Sequence, residues 1–192
     1  MKIINDTYNE LCNKPSDIHE HLPTLKALTE GCEHVTEMGV RWIISTYAFL
    51  AGKPKSLVSI DIQHPQTWNA DLSRVETLAK ENDIDFKFIL SSTLEVDIDP
   101  TDLLFIDTWH AYKQLKAELN LHHTKVKKYI VLHDTTNFEY TDESSYEIWG
   151  DEWKGEGKGI WPAVLEFLEE HPEWEIQKRY VNNNGLTILI RK

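Results

Sequence analysis

Five short apolar runs, each separated from the next by helical or turn-forming sequence, constrain this chain of 192 residues more than any other feature. They are rich in β-branched and aromatic residues, a composition typical of buried strands, and they lie at 34–39, 56–62, 86–90, 103–107 and 129–134. Apolar positions at helical spacing fill most of the stretches between them, for example at Leu72, Val75 and Leu78. Strands that alternate with helices indicate a parallel sheet with crossover helices. The sequence therefore predicts one α/β domain.

The two ends of the chain depart from this alternation. Near the N-terminus, an N-cap at Ser16-Asp17 and leucines at helical spacing predict a helix that ends near Gly31. A break near His21 is expected, because Pro23 fits the first turn of a helix better than its middle. Near the C-terminus, apolar runs at 174–181 and 186–190 flank Asn-Asn-Asn-Gly, which predicts a closing antiparallel hairpin. We therefore divide the chain into an N-terminal helical segment, residues 1–32, and an α/β domain, residues 33–192.

The charge and composition narrow the classes of partner. The chain has 20 Lys and Arg against 32 Asp and Glu, a net charge of −12, which disfavours a nucleic-acid backbone as a partner. No apolar run approaches the roughly 20 residues that a membrane span needs, and the first residues do not form a secretory signal. The two cysteines, Cys12 and Cys32, share no metal or redox spacing. We expect a cytoplasmic protein with a small-molecule partner, and a homo-oligomer is left open.

Acidic side chains follow or end most of the predicted strands. Glu37 lies near the end of the first predicted strand and is followed by Gly39. Asp61 lies near the end of the second strand, Asp107 ends the fourth and Asp134 ends the fifth. Ligands of open parallel sheets bind beyond the carboxyl ends of the strands, so these residues are expected to meet at one cleft.

These residues resemble the class I S-adenosylmethionine-dependent methyltransferases over residues 33–192. The resemblance rests on Glu37-x-Gly39, on Asp61 about twenty residues later, on Phe105-Ile106-Asp107 and on the C-terminal hairpin. It implies a Rossmann-like three-layer sandwich with a seven-stranded, mostly parallel sheet. Residues 37–46 are also similar to the Glu-x-Gly-x-Arg-x-x-x-Ser/Thr variant of small-molecule O-methyltransferases, although Arg41 and Ile43 stand where further glycines are expected. The implied cofactor is S-adenosylmethionine, and the implied cofactor-binding residues are Glu37, Gly39, Arg41, Ser45, Asp61, Ser91, Ser92 and Asp107.

A second resemblance concerns metal chemistry. Residues 105–110 resemble the catechol-type, metal-dependent O-methyltransferases, in which an aspartate at the position of Asp107 binds a divalent ion. By this likeness Asp107, Asp134 and Thr135 would hold Mg²⁺, and Asp107 and His110 would be catalytic. His110 would act as the general base, because an unperturbed imidazole titrates near pH 6.5.

The segment after the fifth strand is the predicted lid. Residues 138–159 are acidic and rich in aromatic side chains, which suits a cover for a sugar or a cationic group. His133-Asp134-Thr135 resembles the strand ending of sugar- and antibiotic-tailoring methyltransferases. His133, Trp149 and Trp153 are therefore the predicted acceptor contacts, with a buried core histidine as the other interpretation of His133.

The sequence thus favours an S-adenosylmethionine-dependent O-methyltransferase that acts on a small-molecule hydroxyl, such as that of a sugar or a phenol. Two alternatives stay open. One is a cofactor-free binding module on the same fold, because the loop after Glu37 has a single glycine. The other is a metal-dependent hydrolase that uses Asp107, His110, His133 and Asp134.

Overall fold

The computed structural model describes all residues from 1 to 192 and has one seven-stranded sheet between two layers of helices. The strands are β1 His34–Met38, β2 Ser56–Asp61, β3 Asp85–Leu90, β4 Thr101–Ile106, β5 Val126–His133, β6 Trp174–Tyr180 and β7 Leu186–Arg191. The helices are α1 Lys2–Asn13, α2 Leu22–Thr29, α3 Ile44–Gly52, α4 Leu72–Glu81, α5 Tyr112–His122 and α6 Trp161–Glu170.

The order of the strands across the sheet is β3-β2-β1-β4-β5-β7-β6. Strands β1 to β5 are parallel, whereas β7 lies antiparallel between β5 and β6. This confirms the predicted mostly parallel sheet with a C-terminal antiparallel hairpin. The strand order reverses between β1 and β4, the position at which open α/β sheets bind ligands.

The register of the central strands places their predicted site residues side by side. Met38 of β1 pairs with Ile60 of β2 on one side and with Ile106 of β4 on the other. The residues that follow these three, Gly39, Asp61 and Asp107, therefore emerge at the same edge of the sheet.

Alternate residues of the strands face two separate hydrophobic cores, because successive side chains of a strand point to opposite faces. On one face the strands pack against α1, α2, α3 and α4, with Phe49 of α3 against Phe105 of β4 at 5.4 Å between ring centroids. On the other face they pack against α5 and α6, around Leu104 and Phe167. The two cores produce the three layers.

The N-terminal segment has the break that was predicted near His21. The helix α2 begins at Leu22, with Pro23 in its first turn, and a short 3₁₀ turn spans His19–His21 in place of a helix that begins at Ser16-Asp17. Proline fits a first turn because it has no N–H to donate. The sequence interpretation also missed α1, whose buried residues Ile4 and Tyr8 lie one helical turn apart. That spacing was the available signal.

No helix of the protein combines the length and the apolar character that a membrane crossing requires.

Candidate functional site

A cleft lies at the carboxyl ends of β1, β2 and β4 and encloses about 1140 Å³, counted out to its open mouth. Most of the predicted cofactor residues line it: Gly39, Arg41, Ser45, Asp61, Ser92 and Asp107. Glu37 and Ser91 do not line it. The N-terminal segment contributes Asp17 and Ile18 to the wall, although it precedes the first strand.

Gly39 lies where the ends of β1 and β4 meet, and close packing there requires a residue without a side chain. Its φ is +86°, and a Cβ atom at this position would stand 1.9 Å from the carbonyl oxygen of Asp107. No side chain fits there. The structure therefore requires glycine here for the contact between the ends of two strands.

The loop after Gly39 keeps left-handed geometry without further glycines. Arg41 and Ile43 have φ values of +45° and +57°, which cost of order 1 kcal/mol each for residues with a Cβ. The Asp61 carboxylate stabilises this loop, because its Oδ2 accepts hydrogen bonds from the backbone N–H of Val40 at 2.8 Å and of Arg41 at 3.0 Å. The Arg41 guanidinium lies 4.1 Å above the Trp42 ring.

Glu37 is fully buried beneath this loop rather than in the cleft. Its carboxylate accepts hydrogen bonds from Ser45 at 2.6 Å, Thr46 at 2.9 Å and Ser59 at 2.6 Å. Burial raises the pKa of Glu37 to about 7, although the three hydroxyls favour the charged form. Glu37 therefore joins β1, β2 and α3, and through Ser45 it supports the cleft wall.

His110 lies between three carboxylates. Its Nε2 is 3.1 Å from Asp107 Oδ1 and 3.1 Å from Asp134 Oδ2, and its Nδ1 is 2.8 Å from Glu143 Oε2. Burial lowers the pKa of His110, but the hydrogen bonds to Asp107 and Glu143 and the charge of Asp134 outweigh it and raise the pKa to about 10. These three carboxylates stabilise the charged form of the ring, and the role of His110 as general base remains a prediction from the sequence.

His133 lies beneath this cluster and outside the cleft. Its Nδ1 is 3.3 Å from Asp107 Oδ1 and 3.3 Å from Asp134 Oδ2, and its Nε2 donates to the carbonyl of Asp17 at 3.2 Å. Burial opposes the charged form, but Asp107 and Asp134 raise the pKa of His133 well above its usual value. This placement matches the buried-histidine interpretation, and contact of His133 with an acceptor remains a prediction from the sequence.

Two of the three predicted Mg²⁺ ligands, Asp107 and Asp134, come together, but Thr135 does not join them. The Thr135 hydroxyl is buried and hydrogen-bonds Thr187 Oγ1 at 2.9 Å. The groups that do converge are Asp107, His110 and Asp134, whose ligand atoms lie within 4.8 Å of one another. Mg²⁺ prefers an all-oxygen shell, whereas this set places an imidazole between the two carboxylates. The residues present therefore do not fit the predicted magnesium site.

Aromatic side chains of the lid form one wall of the cleft. The segment 138–159 contains two 3₁₀ turns, Glu147–Trp149 and Asp151–Trp153. Trp149 and Trp153, two of the predicted acceptor contacts, both line the cleft. Trp109 joins them from the end of β4, with its ring centroid 5.3 Å from that of Trp153. Tyr146, which the sequence interpretation did not single out, completes the wall at 4.8 Å from Trp149.

Asp142 anchors the lid and was not predicted. Its Oδ1 accepts hydrogen bonds from the backbone N–H of Tyr112 at 2.8 Å and Gly159 at 2.9 Å, and its Oδ2 accepts one from Gly157 at 2.7 Å. The glycine-rich run at the end of the lid thus wraps a carboxylate and connects it to the start of α5. One aspartate in an acidic loop carries no sequence signal for this role.

A second buried carboxylate, Glu118 of α5, supports another part of the cleft. It accepts hydrogen bonds from Thr93 at 2.6 Å, Gln114 at 2.8 Å and Thr108 at 2.9 Å, and all three partners line the cleft. Burial raises the pKa of Glu118. The i,i+4 spacing of Gln114 and Glu118 was the only signal in the sequence.

Comparisons with known proteins identify the fold. No family model matches the chain, and no curated protein matches it significantly. Among solved structures, a candidate caffeoyl-CoA O-methyltransferase from Staphylococcus aureus is 14% identical, with a TM-score of 0.64 over 100% of this chain and 98% of that one. An O-methyltransferase from Bacillus cereus in complex with S-adenosylhomocysteine is 13% identical, with a TM-score of 0.62 over 100% and 90%.

A third solved structure is an O-methyltransferase of tomaymycin synthesis from Streptomyces achromogenes in complex with S-adenosylmethionine. It is 14% identical, with a TM-score of 0.54 over 88% of this chain and 80% of that one. The chain therefore has the Rossmann-like fold of class I S-adenosylmethionine-dependent methyltransferases. This confirms the predicted fold class over nearly the whole chain.

Proposed function

We propose that this chain is an S-adenosylmethionine-dependent O-methyltransferase that acts on a hydroxyl group of a small molecule. The observation that carries the proposal is the convergence of the Gly39 loop, Asp61 and Asp107 on one cleft, in a fold whose solved relatives include complexes with S-adenosylmethionine and S-adenosylhomocysteine. A cytoplasmic location and a homo-oligomeric state remain predictions from the sequence.

Asp61 is the proposed contact to the cofactor ribose. A carboxylate offers about four acceptor positions. Three of them are used, because Oδ2 accepts from Val40 and Arg41 and Oδ1 accepts from Gln63 at 2.8 Å. The remaining position on Oδ1 is available to a ribose hydroxyl, and a hydrogen bond to an ionised acceptor is stronger than a neutral one. Ser92 lines the same cleft and is the proposed contact to the adenine.

Asp107 is the proposed contact to the acceptor hydroxyl. Burial raises its pKa, but His133 and His110 outweigh burial and hold the pKa well below its usual range, so the carboxylate is ionised. Both histidines bind Oδ1, and no group of the protein hydrogen-bonds Oδ2. Oδ2 would accept a hydrogen bond from the acceptor hydroxyl and so orient the acceptor oxygen toward the methyl carbon. As the oxygen–carbon bond forms, the carbon–sulfur bond breaks and the hydroxyl proton would leave to water. Alignment of these atoms in the cleft would supply most of the rate.

The aromatic wall of the cleft indicates how the acceptor would be held. Trp109, Tyr146, Trp149 and Trp153 present ring faces and edges to the cleft beside Glu143. Such a surface suits one face of a sugar or phenol ring, because aromatic side chains bury a large apolar area.

Calorimetric titration with S-adenosylmethionine and S-adenosylhomocysteine, with and without Mg²⁺, tests the proposal. We expect micromolar binding that Mg²⁺ does not strengthen, and Asp61→Ala should weaken it at least tenfold, about 1.4 kcal/mol. Asp71→Ala is the matched control, because Asp71 is an exposed N-cap of α4 outside the cleft.

The outcomes separate the alternatives. Unchanged affinity of Asp61→Ala would remove the ribose assignment. No binding of either compound to the wild-type protein would instead favour the cofactor-free binding module. A tight metal ion at Asp107, His110 and Asp134, in the absence of cofactor binding, would favour the hydrolase.

A further inference from the structure

A second group of potential metal ligands lies away from the cleft. His123 follows α5, His171 follows α6, and Glu173 precedes β6. One ligand atom from each of these side chains lies within 4.8 Å of the others, and none of the three residues lines the cleft. They sit just before the starts of β5 and β6, which run in the same direction, and hence at the opposite edge of the sheet from the cleft.

We propose that His123, His171 and Glu173 form a zinc-binding site that ties the start of β5 to the start of β6. Two imidazoles and one carboxylate are a donor set that Zn²⁺ accepts, with water as the fourth ligand. This inference is independent of the methyltransferase proposal, because it uses no residue of the cleft.

The geometry of the three side chains is close to that of a tetrahedral site. Bonds of about 2.0–2.2 Å to Zn²⁺ place neighbouring ligand atoms about 3.3 Å apart. His171 Nδ1 already lies 3.5 Å from Glu173 Oε1, and the two imidazole rings have their centroids 4.1 Å apart. Small side-chain rotations therefore suffice to close the site.

The orientation of His123 is that of a metal ligand. Its Nδ1 donates a hydrogen bond to the carbonyl of Leu119 at 2.8 Å, so the ring keeps its lone pair on Nε2. A bond from the second ring nitrogen to a backbone carbonyl is the usual support of a zinc-bound histidine. The assignment of the proton to Nδ1 follows from this partner, because a carbonyl oxygen can only accept.

Rigid elements hold both histidines in place. The Phe167 ring of α6 packs against His123 at 5.5 Å and against His171 at 4.8 Å between centroids. The backbone N–H of His171 donates to the carbonyl of Phe167 at 2.9 Å, and the N–H of Trp174 donates to the carbonyl of His171 at 3.0 Å. The turn between α6 and β6 therefore fixes the site before any ion binds.

An ion can enter because the site is partly open. The His171 and Glu173 side chains are 23% and 39% exposed, whereas His123 is buried. The other charge-bearing cluster of the chain, at Asp107, His110 and Asp134, differs in this respect, because its imidazole already has three carboxylate partners.

The test is titration of the chelator-treated protein with Co²⁺, followed by absorption of the tetrahedral ion and displacement with Zn²⁺. We expect one equivalent to bind to the wild type. His171→Ala and the isosteric Glu173→Gln should each weaken binding at least tenfold, with folding checked by circular dichroism. Glu175→Gln is the matched control, since Glu175 lies two residues further along the chain, in β6, and pairs with Lys192 instead. Zn²⁺ at a hundredfold excess over its Kd should raise the Tm of the wild type by about 5–10 °C.

Asp107→Asn distinguishes the two clusters. Binding that survives Asp107→Asn and is weakened by His171→Ala supports the proposal. Binding that is lost in Asp107→Asn, or that is unchanged in both His171→Ala and Glu173→Gln, would overturn it. Absence of any tetrahedral Co²⁺ spectrum in the wild type would also overturn it.

Discussion

Glu37 of β1 and Asp107 after β4 belong to neighbouring strands, but Glu37 is fully buried whereas Asp107 exposes about 25% of its side chain to the cleft, and their partners differ in kind. Three neutral hydroxyls surround the Glu37 carboxylate, whereas two positively charged imidazoles bind that of Asp107. Burial penalises the charge of both. It prevails at Glu37, where the pKa rises to about 7, and it is outweighed at Asp107, where the pKa falls.

The comparison shows that burial alone does not decide the charge of a carboxylate. Hydroxyls give hydrogen bonds but no net charge, while an imidazolium adds an opposite charge at close range. The two carboxylates therefore have different roles in the site. Glu37 connects α3 to the sheet below the loop, and Asp107 presents an ionised oxygen to the cleft.

The largest expected effect comes from the residue that holds these two strand ends together. Gly39→Ala should lower the free energy of unfolding by at least about 3 kcal/mol, because it combines a positive φ with a collision against the Asp107 carbonyl. Urea unfolding followed by circular dichroism measures this loss, and the titration with S-adenosylmethionine should show that binding is lost as well.

Gly157→Ala is the matched control for this substitution. Gly157 has a similar φ of +74°, but no atom lies within 4 Å of the position of a Cβ. It should therefore cost only the backbone strain, about 1–2 kcal/mol. Equal losses for the two variants would contradict the packing role of Gly39.

The next effect is a change of the free energy of unfolding with pH, which the titration of Glu37 causes. The folded pKa of about 7 lies above the usual 4.5, so the folded state binds this proton more tightly than the unfolded state. The associated stability is fully present below pH 4.5 and is lost as the pH rises through 7, by about 3 kcal/mol in total.

Glu37→Gln should remove this dependence, because the amide does not titrate. Unfolding curves between pH 4.5 and 8 check it, with the exposed Glu76→Gln of α4 as the control. The same slope in wild type and Glu37→Gln would show that another group causes it.

The smallest of these effects concerns the charge of the Asp107 cluster. Asp107→Asn should lower the free energy of unfolding at pH 7 by about 2 kcal/mol, because it replaces one ionised partner of two buried histidines with a neutral group. It should also lower the pKa of His110 from about 10, as an NMR titration of the imidazole can measure.

The control for Asp107→Asn is the exposed ion pair of Asp97 with Lys125, where Asp97→Asn should cost less than about 0.5 kcal/mol. An unchanged His110 titration in Asp107→Asn would mean that Asp134 and Glu143 alone hold the proton.

Much of the fold was predictable because its signals are local. The predicted run at 103–107 corresponds to β4 and the residue after it, and the hairpin around Asn-Asn-Asn-Gly corresponds to β6 and β7. Asp61 and Asp107 could be placed at the cleft because each lies at the carboxyl end of a predicted strand. The helix α1 was missed although Ile4 and Tyr8 carry a helical spacing.

The partners of the site residues were not predictable in the same way. Glu143, which binds His110, lies 33 residues further along the chain, and Thr187, which binds Thr135, lies 52 residues away. Such pairs depend on which strands become neighbours and on how a lid folds back, and neither has a signature within a short window of sequence.

The sequence by itself determined the sheet, the order of its elements and the edge at which acidic residues collect, since periodicity and turn residues act over a few positions. Only the tertiary structure decided the chemical state of those residues. The raised pKa of His110, the buried position of Glu37 and the partner of the Thr135 hydroxyl all depend on distances between groups far apart in the chain. They also depend on the exclusion of water around those groups, because burial and nearby charge set the free energy of each ionised form.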